Sequence, residues 1–472
     1  MKVLYYNWAP LDMPGVGGGV SVYIKNILIW LKEHPALHEI EPTFLSSGYL
    51  FDNRKVPYIR EEFSKDGLKI YSIVNSTIVA PHAAAVAQLR NLNNDNVIKE
   101  VFRMFLIEKG PFDVIHFQTL EGLVPNVLEL KDEFPNMRII YSVHDYGIVC
   151  PNVRLWTNTK NNCFINQQHR DCGRCMKDYA IIKPEWVISR RPAIPGQKTI
   201  KPSIVIRAYI RIAMILRKKY CPLKWFNNLC VSEFRQNNIN MINKYVDSVL
   251  CVSGRVAEVM TAFGIEKSKL HINYIGTKVA ENVEYKLKED ATNDILTLLY
   301  MGYAAEEKGF FFYLEMLEQM PAESCSRISL KFASKIRDRN IVNRLNLLKK
   351  KFYGVTHYNG YTHADFPVIM KGVNLGIVPP LWEDNLPQVT IEMIANGIPV
   401  LTSCYGGAHE LNTHPGFVFT SKNDLRDKIL DIFNNRNLLN DYWNYSKHLV
   451  TFNEHVESLI NYYHDRNVFG GH

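Results

Sequence analysis

Strand-length apolar runs alternate with helix-length stretches through most of this chain, and the alternation occurs twice. The opening run "KVLYYNWAP" leads into a glycine loop, "LDMPGVGGG", and then into "VSVYIKNILIWLKEH", whose apolar residues recur at helical spacing. "FDVIHFQT" and "RIIYSVHDYG" follow as β-branched runs of strand length, separated by the helical stretch "LVPNVLELKDEF". From "ILTLLYMGY" onward the rhythm restarts. Strands "RISLKFAS", "VTHYNGY", "VNLGIVPP" and "IPVLTSC" are interleaved with helical "FFFYLEMLEQM", "IVNRLNLLKKKF", "ADFPVIMKG" and "PQVTIEMIANG". Strands that alternate with helices build parallel sheets covered on both faces, so the pattern predicts an α/β protein with two doubly wound domains.

A chain of 472 residues suits that division, at roughly 150 or more residues per unit. The polar stretch "KVAENVEYKLKEDATND" has no clean period and reads as the linker, near residues 280 to 293. The expected domains are 1–285 and 286–450, with a C-terminal helix in 451–472 that can pack back on the first domain. Two domains imply a cleft between them.

Composition excludes some classes. The N-terminus shows no apolar secretory core, and no uncharged apolar window of about 18 residues exists to span a bilayer, so a cytoplasmic location is expected. Nine cysteines in such a chain read as thiols or metal ligands rather than a disulfide framework. The formal charge of +8 is unevenly placed. Lys183, Arg190, Arg191, Lys198, Lys201, Arg207, Arg211, Arg217, Lys218, Lys219 and Lys224 face the acid Glu185 in one segment. No nucleic-acid partner is expected.

Four loops carry residues suited to binding. Gly15, Gly17, Gly18 and Gly19 lie between a strand and a helix, where backbone N–H groups can approach a phosphate; a tight turn is the plainer reading. The spacing is neither a complete dinucleotide fingerprint nor a Walker A loop. "YMGYAAEEKGF" places Gly302 at a strand end and Lys308 at a helix start, where a lysine can hold a leaving diphosphate or merely be solvated. In "WEDNLPQVTIEMIANGIPV", Glu383 and Asp384 precede a helix that begins near Leu386 and Pro387, so both can serve as caps. Glu392 sits inside that apolar helix, where an unpaired carboxylate is costly, and a pair of sugar hydroxyls is a fitting partner. "SCYGGAHEL" adds Gly406 and Gly407 after a further strand, with N–H groups that can face the same cleft.

The ordered set "GGGVSVYI", "DVIHFQ", "SVHDY", "CVSGRVAEVM", "MGYAAEEKG" and "PPLWEDNLPQVTIEMIANGIPVLTSCYGGAHEL" resembles the retaining glycosyltransferases of family 4, over nearly the whole chain. The resemblance implies a GT-B fold, in which two Rossmann-like domains face each other across a cleft. It also implies transfer of a sugar from a nucleoside-diphosphate sugar to a glycan acceptor. It gives Glu392 the ribose hydroxyls and Asp384, seven residues intervening, the donor sugar; the adjacent Glu383 can take over in a shifted loop. Asn385 and Leu386 belong to the same donor block. Gly18 and Gly19 match the family's glycine pair, and His144 matches a histidine that approaches the donor sugar. His116 is a similar but weaker match. Lys308 matches the family lysine, but Tyr303 stands where arginine is usual, which leaves a diphosphate one cation short. Gly360 and Tyr361 lie where such folds read the base.

Retention through a glycosidase-like intermediate needs a nucleophilic carboxylate at the anomeric carbon, whereas Glu392 is expected to be occupied by ribose. A front-face displacement suits these residues better. With no Asp-x-Asp motif present, Lys308 and backbone N–H groups are expected in place of a catalytic metal. A soluble acceptor, or a non-catalytic sugar-nucleotide-binding subunit, are the alternatives.

Two features are particular to this chain. Cys150, Cys163, Cys172 and Cys175 cluster after "SVHDYGIV" and read either as a structural zinc site, with His169 as a spare ligand, or as packed thiols. Residues 203–225, "SIVIRAYIRIAMILRKKYCPLKW", combine a basic stripe with a broad apolar face. Such a helix can lie on an anionic membrane surface or pack in a core. The membrane reading fits a polyprenyl-diphosphate-linked acceptor for a surface polysaccharide such as O-antigen or capsule.

Overall fold

The computed structural model describes residues 1–81, 95–164, 172–176, 228–286 and 294–464, except positions 14, 38, 158–159 and 284, together with the isolated positions 88, 187–188, 191, 208 and 212. The basic segment at 203–225 and His169 therefore fall outside the described residues, apart from Ala208 and Ile212.

Two sheets carry the fold. The first contains β1 (Lys2–Tyr6), β2 (Glu41–Ser47), β3 (Tyr58–Glu62), β4 (Lys69–Val74), β5 (Val114–Phe117), β6 (Arg138–Val143), β7 (Ser248–Cys251) and β8 (Leu270–Ile272), in the order β3-β4-β2-β1-β5-β6-β7-β8. The second contains β9 (Leu296–Met301), β10 (Ile328–Ala333), β11 (Gly354–Tyr358), β12 (Leu375–Val378), β13 (Val400–Ser403) and β14 (Val418–Phe419), in the order β11-β10-β9-β12-β13-β14. All pairings are parallel except β3 with β4. Central strands are buried on both faces, which is why they read as unbroken apolar runs: all six residues of β9 and all four of β12 and of β13 are buried.

Both sheets reverse their strand order at one strand, β1 in the first and β9 in the second. Ligands of open α/β sheets bind beyond the carboxyl ends of the strands at such switch points. The glycine loop follows β1, and the Gly302 to Lys308 loop follows β9. Topology thus aims the two loops singled out by sequence at the same place.

The helix Phe452–Tyr463 returns to the first sheet. Its Phe452, Val456, Leu459 and Tyr463 pack in one cluster with Val3, Tyr5, Ile24 and Leu28. Thr451 bridges to Thr277, so the two chain crossings between domains run side by side. No helix among the described residues is long and apolar enough to cross a membrane.

Candidate functional site: the interdomain cleft

A cleft of about 620 Å³ lies between the two sheets, lined from one side by Gly19, Val20 and His144 and from the other by the loops after β9, β10, β11 and β12. Three helices begin at it. Gly18–Glu33 has Gly17 at its N-cap, Phe310–Glu318 has Gly309 and Gln388–Ala395 has Pro387, and none receives a side-chain cap. Five other helices are capped by Asp95, Ser253, Asp338, Ser421 and Thr451, while the short helices Ala322–Cys325 and Asn437–Asp441 also lack a side-chain cap. Uncapped first-turn N–H groups and the positive end of the helix dipole favour an anion. Gly17 makes the first of these turns possible. Its φ of 78° is left-handed, and a Cβ there would fall 1.9 Å from Ser21 Oγ.

On the second domain's wall, Lys308 Nζ donates to Asp384 Oδ2 at 2.6 Å and lies 5.1 Å from the centre of the Trp382 ring. Asp384 is 8% exposed and lines the cleft with Asn385 and Leu386. The Trp382 indole N–H and the Asn385 amide Nδ2 are buried donors with no partner among the described residues. Two unpaired donors on one wall call for acceptor atoms from a ligand. Gly302, Gly360 and Tyr361 line the same wall, and burial followed by the nearby Glu392 charge pushes the Tyr361 hydroxyl up to about 12.

On the first domain's wall, the His144 Nε2 lies 2.7 Å from Gln118 Oε1. An amide oxygen only accepts, so Nε2 carries the proton and Nδ1 keeps a lone pair. Burial, then the neighbouring His455, lowers the His144 pKa to about 3, leaving a neutral imidazole. Its ring meets Tyr23 edge-on at 5.1 Å between centroids, and the Tyr23 hydroxyl lies 2.6 Å from His455 Nε2. The His455 Nδ1 is 2.9 Å from the Tyr274 carbonyl and must donate to it, so Tyr23 donates to Nε2.

Several expected site residues are elsewhere. Glu383 is fully buried and does not reach the cleft: Arg255 of the first domain grips it from Nε at 2.8 Å and from a terminal nitrogen at 3.1 Å, and Asn162 donates to it at 2.9 Å. It is a strut between domains, and of the two adjacent acids Asp384 is the one that lines the cleft. Gly406 and Gly407 do not offer their N–H groups to the cleft either. Gly406 donates to Glu383 and Gly407 to the Asp384 carbonyl, while the left-handed Gly406, φ 70°, brings a would-be Cβ within 2.1 Å of that carbonyl. These glycines shape the acidic loop rather than bind through it. Gly18, although at the helix start, is not among the lining residues as Gly19 is.

Glu392 is 7% exposed and raised in pKa by burial; its partner is His363 Nε2 at 3.0 Å, a residue that no sequence pattern marks. His116 is wholly buried, between the Tyr463 hydroxyl at 2.8 Å and Ser142 at 2.7 Å, so it belongs to the core and not to the cleft. The four cysteines do pack on one apolar cluster. Among the described residues no three His, Cys, Asp or Glu side chains are arranged to hold a metal, and the spare ligand His169 lies outside those residues. Burial pushes the Cys150 thiol up to about 12.

Residues that bridge the domains were not read from sequence at all. Glu410 accepts from the Gly254 amide at 2.8 Å and from the Tyr274 hydroxyl at 2.7 Å, Ser253 donates to the Asn385 carbonyl at 2.7 Å, and Arg154 pairs with Glu307 at 2.6 Å. Such pairs join residues more than a hundred positions apart, and no local pattern marks them.

Two parallel-sheet, Rossmann-like domains facing each other across this cleft define a GT-B protein. Within it, residues 284–449 match the family described as glycosyl transferases group 1, which places that domain on the wall carrying Lys308 and Asp384. No protein of curated function matches the chain by sequence. Among solved structures, sucrose-phosphate synthase from Thermosynechococcus elongatus is similar over 98% of both chains, with 13% identity and a TM-score of 0.57. The apo form of the lipopolysaccharide outer core galactosyltransferase WaaB is similar over 99% of this chain and 100% of its own, at 12% identity and a TM-score of 0.57. Anabaena Alr3699/HepE in complex with UDP is similar over 98% and 95%, at 12% identity and a TM-score of 0.50.

Proposed function

We propose that the protein is a retaining glycosyltransferase of the family 4 type, moving a sugar from a nucleoside-diphosphate sugar to a glycan acceptor. The observation that carries this reading is the convergence on one cleft of three uncapped helix N-termini, Lys308 and the two unpaired donors of Trp382 and Asn385. That set matches a ligand rich in anionic and acceptor oxygens. A solved GT-B relative in fold, Alr3699/HepE, holds UDP.

In this reading the diphosphate lies toward Lys308 and the N-terminus of Phe310–Glu318, Glu392 exchanges His363 for ribose hydroxyls, and Gly360 and Tyr361 border the base. Asp384 and neutral His144 flank the sugar from opposite walls. A covalent glycosyl–enzyme would need a carboxylate free to attack the anomeric carbon. Asp384, the carboxylate among the described lining residues, is held by Lys308. The acceptor oxygen therefore attacks the same face from which the phosphate departs; the anomeric carbon–phosphate oxygen bond breaks, and the acceptor proton passes to the leaving phosphate. Lys308 and the helix N-termini stabilise the growing negative charge without a metal.

A lipid-diphosphate-linked precursor of a surface polysaccharide is the acceptor class favoured by the basic, apolar segment at 203–225. The enzyme then works at the cytoplasmic face of an anionic membrane, peripherally bound. Purified protein incubated with a panel of nucleotide sugars tests the central claim. A cognate donor should raise the unfolding temperature, because a ligand bound by the native state alone stabilises it, and should be consumed on adding acceptor. If no donor either stabilises the protein or is turned over, the reading is wrong.

A further inference from the structure

The strands beside the second switch point enter the cleft in matching register. Ala333 of β10 pairs with Met301 of β9, so Lys335 and Tyr303, each two residues further along, leave neighbouring parallel strands at equivalent positions. Such strands run about 4.8 Å apart. Both residues line the cleft. Tyr303 is 75% exposed and brings no cation to the place where the resemblance puts a second one for a diphosphate.

The remaining cations nearby are already engaged. Lys308 is paired with Asp384 at 2.6 Å, Arg154 with Glu307, Lys160 with Glu306 and Arg255 with Glu383. Of the two lysines lining the cleft, Lys335 is the one that forms no hydrogen bond or ion pair among the described residues. The Lys308–Asp384 pair sums to no net charge, whereas a diphosphate ester brings about two negative charges. An unneutralised cation beside it is therefore what the wall has to supply. Ser334, one residue earlier, adds a buried hydroxyl with no partner among the described residues.

We propose that Lys335 binds the diphosphate of the donor, supplying from β10 the charge that position 303 on β9 lacks. The proposal rests on the cleft being a nucleoside-diphosphate-sugar site. Lys335 is exposed and unpaired, so its removal should leave the fold intact.

Calorimetric titration of the wild type, Lys335→Ala, Lys335→Arg and the double variant Tyr303→Arg with Lys335→Ala tests it, using UDP, GDP and ADP and the matching nucleosides. The diphosphate that binds the wild type should bind Lys335→Ala at least tenfold more weakly, with nucleoside binding unchanged. Lys335→Arg should keep most of the affinity, and Tyr303→Arg should restore much of what Lys335→Ala loses. Unchanged diphosphate affinity in Lys335→Ala overturns the role of Lys335 and leaves the reading of the cleft standing. Equal losses for nucleoside and diphosphate overturn the phosphate assignment. If no diphosphate binds the wild type, the reading of the cleft fails and this proposal fails with it.

Discussion

The two walls of the cleft handle polarity in opposite ways. The first domain backs its wall with neutral groups: His144 at the cleft and His116 and His455 in the core are all driven below their ordinary pKa by burial and are tied to tyrosine hydroxyls, an amide, a serine and a carbonyl. The second domain works with ions, setting Lys308 against Asp384 and Glu383 against Arg255 of the first domain, while Glu392 accepts a hydrogen bond from His363. A neutral network positions hydroxyl-bearing groups without attracting counterions. An ionic one can hold a polyanion but must keep its own acids satisfied when the ligand is absent. On the proposed function, the contrast puts the anionic part of the donor at the second domain and its uncharged part at the first.

The harshest way to break the ionic side is at its root. Arg255→Ala leaves Glu383 buried and unpaired one residue from Asp384, and uncompensated buried charges cost about 3–5 kcal/mol. Urea unfolding should show that loss, with Lys at the same position recovering only part because it cannot make both contacts. A loss under about 1 kcal/mol would mean that Glu383 is not the strut described.

This pair also marks where the sequence stops being informative. The alternation of strands and helices was legible because period and burial are local properties, and so were both glycine loops, since each follows the strand at which its sheet reverses. Lys308 was legible at the start of one helix, and Asp384 before another only through the family resemblance, with Glu383 as its alternative. Glu383, Gly406 and Gly407 were misplaced because their partners, Arg255 and the folded-back acidic loop, are set by domain docking that no short window encodes. The Thr451 to Glu454 capping box was in plain view and marks the last helix as starting at Phe452. His363 carried no signal, being an exposed loop histidine that meets Glu392 only because β11 brings its following turn over the helix Gln388–Ala395.

Acid is the way to break the neutral side. His455 has a folded pKa lowered to about 4 against an unfolded value near 6.5, so the unfolded chain takes up its proton first as pH falls. Stability is therefore fully present above about 6.5 and is lost as pH drops toward 4, by about 3 kcal/mol for this histidine alone. His144 and His116 act in the same direction. Asp145, raised to about 6 by burial, acts in the opposite one, since its native state binds the proton more tightly. Comparing unfolding free energies of the wild type and His455→Gln at pH 7.5 and 5.5 isolates the one group. The variant should lose less stability over that interval, by about 1 kcal/mol, and identical losses would show that His455 is not held neutral.

The smallest expected effect sharpens the contrast most, because it asks whether a hydrogen-bonded pair is structural or a placeholder. The His363 side chain is 74% exposed while that of Glu392 is 9% exposed, so the pair joins a solvated partner to a buried one. Exposed pairs contribute no more than about 1 kcal/mol, and His363→Ala should lower stability by less than that. If Glu392 receives ribose hydroxyls, the bound ligand replaces His363, and removing the histidine should leave nucleoside-diphosphate affinity unchanged or improve it up to about threefold, since less than 1 kcal/mol of competing interaction is lost. Glu392→Gln, which keeps shape but removes the charge-assisted acceptor, should weaken the same ligand by about tenfold. A tenfold loss on His363→Ala would instead make the histidine part of the binding surface. An unchanged affinity in Glu392→Gln would remove the ribose from Glu392 and leave the carboxylate as nothing more than the partner of an exposed histidine.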